Sequence, residues 1–181
     1  MRVPMLSILR NALLLPVAAA VLVTGAAASE REKRFFEKVE GQWSGPGEIV
    51  AGKYKGTKFV CNFDGTTPSN GLGMALDGGC RVGVFNQDMS ASVERAGSGY
   101  RGRFLDGAAG KGLDVVNGSV KNGYAVFAIH RKELTGAMRA QMTGTDTMNV
   151  TISVHVDEEL VPVIGMTLNR LDSRSIGALS D

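Results

Sequence analysis

The side chains able to do chemistry are few. Two histidines, His130 and His155, and two cysteines, Cys61 and Cys80, stand among 181 residues, so an imidazole or thiol mechanism has little to draw on. Both histidines fall on the polar side of alternating runs, where an imidazole meets water. The cysteines are far apart in sequence and do not form the Cys-x-x-Cys of a redox-active pair. Asp157, Glu158 and Glu159 are consecutive carboxylates, but they sit where a hairpin tip is expected, and a charge run there is a solvated turn. No His-Glu-x-x-His, Gly-x-Ser-x-Gly or glycine-rich phosphate loop is present. The reading is of no catalytic residue, no metal site, no cofactor and no enzymatic activity.

The compartment gives the cysteines their meaning. Arg2 and Arg10 precede an apolar run from Ala12 to Val23, and Ala26-Ala27-Ala28-Ser29 has the small residues of a signal-peptidase site. Residues 1–28 are therefore read as a signal peptide and residues 29–181 as one domain in the periplasm or secreted. The run is shorter than the roughly 20 residues that a spanning helix needs, and nothing later approaches it, so the mature chain carries no transmembrane segment. In an oxidising compartment an even pair of cysteines implies a Cys61–Cys80 disulfide. Arg2 and Arg10 also account for the whole net charge of +2, leaving the mature chain balanced. A balanced chain lacks the basic footprint of nucleic-acid binding, and Lys53, Lys55 and Lys58 read as a solvated hairpin tip.

The elements that must position these residues are mostly strands. One short helix comes first, with Ser29 and Glu32 at capping-box spacing, Phe35, Phe36 and Val39 on one side, and Gly41 as a stop. From Gln42 onward turn residues recur at strand-length intervals, and the runs between them alternate. The predicted strands cover approximately 42–51, 56–64, 72–83, 88–96, 99–105, 112–121, 123–132, 136–144, 147–157 and 160–170. Their connections are too short for parallel crossovers, so sequence neighbours pair as antiparallel hairpins. The turn at Asn122-Gly123 sets Val120 opposite Ala125, Gly118 opposite Phe127 and Val116 opposite Ile129. Gly97-Ser98 likewise sets Glu94 opposite Arg101, Val93 opposite Gly102 and Ala91 opposite Phe104. One apolar face and one polar face, over eight to ten strands with a single helix, predict an all-β, antiparallel up-and-down β-barrel.

Gly41-Gln42-Trp43, carrying the only tryptophan, resembles the Gly-x-Trp that opens the first strand of the calycins, the lipocalin, avidin and fatty-acid-binding group of small barrels. Arg170 lies on the last strand, where that group has an arginine packed over the tryptophan. The short helix ahead of the motif resembles the segment that closes one end of those barrels. The resemblance implies structural roles for Trp43 and Arg170 and an interior able to hold a ligand.

Phe59, Phe63, Phe104, Phe127, Ile129, Met138, Met142 and Ile152 all fall on the apolar face and are the candidate ligand-binding residues. The first functional reading is a barrel holding a small hydrophobic molecule without catalysis. A second is an envelope protein-interaction module, such as a protease inhibitor or assembly accessory, with a filled core. A third is a haem or enzyme site, which requires a histidine turned inward by a register slip or bulge.

Overall fold

The computed structural model describes residues 23–69, 71–105, 112–121 and 123–171. Residues 1–22 of the predicted leader, and Asn122 of the predicted Asn-Gly turn, lie outside the described residues. A helix, α1 (Val23–Glu37), leads into ten strands. These are β1 (Gly41–Ile49), β2 (Lys58–Thr66), β3 (Gly73–Val82), β4 (Phe85–Ala96), β5 (Gly99–Leu105), β6 (Leu113–Lys121), β7 (Tyr124–Arg131), β8 (Leu134–Thr143), β9 (Thr147–Val156) and β10 (Glu159–Arg170). Each strand pairs antiparallel with its sequence neighbour, and β1 pairs with β10, closing the barrel. All ten predicted strands are present.

Turn chemistry fixes the local registers. Gly97 adopts φ +61° at the β4–β5 turn, a conformation that costs glycine little, and Glu94 faces Arg101, Val93 faces Gly102 and Ala91 faces Phe104 as the sequence requires. Across β6 and β7, Val120 faces Ala125 and Gly118 faces Phe127, again as predicted. Farther along, the prediction fails. A bulge between Val115 and Asn117 puts Val115, not Val116, opposite Ile129, and Val116 is turned to solvent. The extra residue shifts the parity of the strand beyond it.

The helix also differs from expectation. It continues upstream through Ser29, so Ser29 is an interior residue and caps nothing. Glu32 reaches Arg95 on β4 as an ion pair. The helix ends at Glu37, ahead of Gly41, and the chain turns through bonds from Lys38 N to Phe35 O and from Val39 N to Phe36 O. The predicted apolar side is correct: Phe35, Phe36 and Val39 are buried.

Because neighbouring strands run in opposite directions, the barrel has two distinct ends. The α1–β1 junction and the turns at 97–98 and 144–146 lie at one end, and α1 closes it by packing Phe36 5.4 Å from Tyr100, itself 5.9 Å from Phe127. The connections 50–57, 83–84, 132–133 and 157–158 lie at the other end, which α1 does not cover. Cys61 and Cys80 face each other on β2 and β3, joined as a disulfide with Cα atoms 4.0 Å apart.

Candidate functional site

The closed end is built around Trp43. Its ring is fully buried, its indole N–H donates to the Val39 carbonyl at 2.8 Å, and Arg170 stacks over it at 4.4 Å from the ring centroid. Trp43 and Arg170 are direct partners in the β1–β10 pairing that seals the barrel. The guanidinium donates to the carbonyls of Lys38, Glu40 and Thr145, and Asp146 lies 3.6 Å away. Arg170 thereby satisfies carbonyls left open where the helix ends, which lysine, lacking the planar fork, would do less well.

Next to this end, Arg95 lies over the Tyr100 ring and pairs with Glu32, tying α1 to β4 and β5. The Tyr100 hydroxyl is buried without a well-formed hydrogen bond. Burial pushes its phenol up to about 12, with the adjacent Arg95 guanidinium pulling the other way.

Away from the helix, the interior holds a cavity of about 70 Å³ between β2–β5 on one side and β8–β10 on the other. Met74, Met89, Met138, Met148 and Met166 all line it, five of the eight methionines in the chain. Phe63, Phe104, Leu76, Ile152 and Leu168 complete most of the wall, which is almost wholly apolar. This space is small. Dry cavities that take up a benzene-sized molecule are about 150 Å³, and pockets for larger ligands about 300–1,000 Å³. Methionine is unbranched and rotates about three side-chain bonds, so a wall of this composition can reshape where leucine or phenylalanine could not.

Four of the eight candidate ligand residues, Phe63, Phe104, Met138 and Ile152, are on the cavity wall. The other four are not. Phe59 lies across Gly47, where any Cβ would collide with its ring. Phe127 stacks edge-on against Tyr100 at the closed end. Ile129 and Met142 are buried in the core off the wall. Met74, Met89, Met148 and Met166 were not singled out from sequence. The alternations Met74-Ala75-Leu76 and Met166-Thr167-Leu168 are the signal that marks two of them as inward.

His130 and His155 are both exposed, on the outer face of β7 and β9. No imidazole faces the cavity, and the haem reading loses the inward histidine on which it depended. Among the described residues no group of three histidine, cysteine or acidic side chains is arranged to hold a metal ion, and no helix is long and apolar enough to cross a membrane. The inward rows continue past the cavity to the uncovered end, where Val82, Phe85, Leu134 and Val156 emerge into solvent.

No protein-family model matches the chain, and no curated protein matches it. Among solved structures it is similar to Rv2717c from M. tuberculosis, at 11% identity and a TM-score of 0.56, over 77% of this chain and 96% of that one. A protein of unknown function from the DUF3598 family of Nostoc punctiforme matches at 14% identity and a TM-score of 0.48, over 75% of this chain and 49% of that one. At such identity the likeness to Rv2717c is one of fold.

Proposed function

We propose that this chain is a non-enzymatic, calycin-like binding protein of the periplasm or extracellular space that takes an apolar molecule into the methionine-lined cavity. The observation that carries the reading is the convergence of Met74, Met89, Met138, Met148 and Met166, from five different strands, on one apolar space. A core selected only for packing favours side chains with well-defined rotamers, and methionine specifies a core poorly. The absence of any polar group on most of the wall suits an alkyl chain or a neutral ring, with a head group left at the uncovered end. Export is supported by the leader-like residues ahead of Ser29 and by the disulfide, which persists in an oxidising compartment.

Titration with an environment-sensitive hydrophobic dye tests this. Met138→Ala should tighten saturable binding by enlarging the cavity, Ala140→Phe should abolish it, and His130→Ala should leave it unchanged. Equal binding by all three variants would remove the cavity as the site. The interaction-module reading draws on the apolar side chains exposed at the uncovered end, and would then take its place.

A further inference from the structure

The exposed large apolar side chains are concentrated at the end of the barrel opposite α1. Val84 is 87%, Phe85 77% and Tyr54 63% exposed. Tyr54 and Val84 sit on two neighbouring connections, 50–57 between β1 and β2 and 83–84 between β3 and β4, and Phe85 is the first residue of β4; the pairing of β2 with β3 sets the two connections side by side. Val60, on the outer face just below, is exposed as well and pairs with Arg81. Solvating these groups is unfavourable, and nothing within the described chain covers them.

The charges around them have one dominant sign. Lys53 and Lys55 flank Tyr54 directly, Lys58 begins β2 and Arg81 stands next to Val82, so residues 48–60 and 81–86 carry four cations against one carboxylate, Glu48. Lys53 also lies over the Tyr54 ring at 5.3 Å. Aromatic and aliphatic tips interleaved with lysines combine the two terms that hold a protein on an anionic bilayer: apolar burial at the headgroup boundary, and attraction of each basic residue to the surface. The adjoining β9–β10 hairpin has the opposite character, with Asp157, Glu158 and Glu159 consecutive at its tip.

We propose that the 50–57 and 83–84 connections dock this protein on an anionic lipid surface, with Tyr54, Val84 and Phe85 entering the headgroup boundary and Lys53, Lys55, Lys58 and Arg81 facing lipid phosphates. The molecule leans toward β3–β4 and away from the acidic hairpin. This surface stands apart from the cavity, although it would present the uncovered end of the barrel to acyl chains.

Phe85→Trp, mixed with vesicles of phosphatidylglycerol carrying brominated acyl chains, tests the contact. The introduced indole should be quenched while buried Trp43, at the opposite end, is not, and neutral phosphatidylcholine vesicles of the same bromination should quench neither. On that background Lys53→Gln/Lys55→Gln should weaken vesicle binding by about 25-fold, at roughly fivefold for each lysine lost, and Asp157→Asn/Glu158→Gln/Glu159→Gln should strengthen it. An unquenched indole at position 85, or binding indifferent to both charge changes, would overturn the proposal. So would a Val84→Asp-sensitive self-association or protein complex formed without vesicle binding. Dye binding in the cavity is read separately, so losing one property leaves the other standing.

Discussion

Arg170 is shared between a ring and several carbonyls, and this helps fix where the first and last strands meet. The stacked cation contributes about 0.5–2 kcal/mol depending on burial, and each charge-assisted bond about 1.5–3 kcal/mol. Trp43→Ala should cost about 3–5 kcal/mol, because a large buried side chain leaves a cavity. Arg170→Lys should cost less than Arg170→Ala, since it keeps the charge. Chemical denaturation measures both, and a Trp43→Ala change near zero would remove the closure argument. Tyr100 makes a second prediction. Its folded-state pKa is raised from the usual 10.0 to about 12, so the folded protein holds the phenolic proton more tightly than the unfolded chain does. That contribution is complete below about pH 10 and is lost as pH rises toward 12, by up to roughly 2–3 kcal/mol. Denaturation midpoints followed through this range should fall for the wild type, and Tyr100→Phe should flatten that part of the profile.

At the scale of elements, the disulfide joins two adjacent strands on the inner face. Replacing both cysteines by alanine should lower stability by about 3 kcal/mol, mainly by freeing the unfolded chain, and thiol labelling of the unreduced, denatured protein should find no free thiol. The hairpins were legible because their turns are short and a short turn sets the register. The bulge in β6 was not. Val115 and Val116 are adjacent and alike, so either satisfies apolar alternation, and only the partner strand decides which faces Ile129. The start of α1 was misplaced for a related reason: the alanine-rich residues ahead of Ser29 are good helix formers as well as a cleavage pattern. Half of the candidate site was legible for the same reason as the strands. Parity tells which side chains point inward, but not how deep they lie along the barrel or which strands face one another across it. Phe127 points inward as predicted, yet sits at the end that Phe36 and Tyr100 fill.

At the scale of the molecule, a barrel closed by α1 at one end and, among the described residues, left uncovered at the other has a polarity that no single strand carries. The closed end is filled by Phe36, Tyr100 and Phe127, and the methionine wall encloses the cavity proposed as the binding site. Enlarging the space should reveal this division: Met138→Ala should lower stability by about 2–5 kcal/mol while raising affinity for an apolar probe. The central claim is that the five methionines form one adaptable site, and it is tested most directly by nuclear magnetic resonance of methyl-labelled methionine during titration with dodecanoate. The account predicts that the Met74, Met89, Met138, Met148 and Met166 methyls shift together along one saturation curve, and by more than Met142. Methyl signals that stay fixed at saturating dodecanoate, or that move no more than Met142, would contradict it.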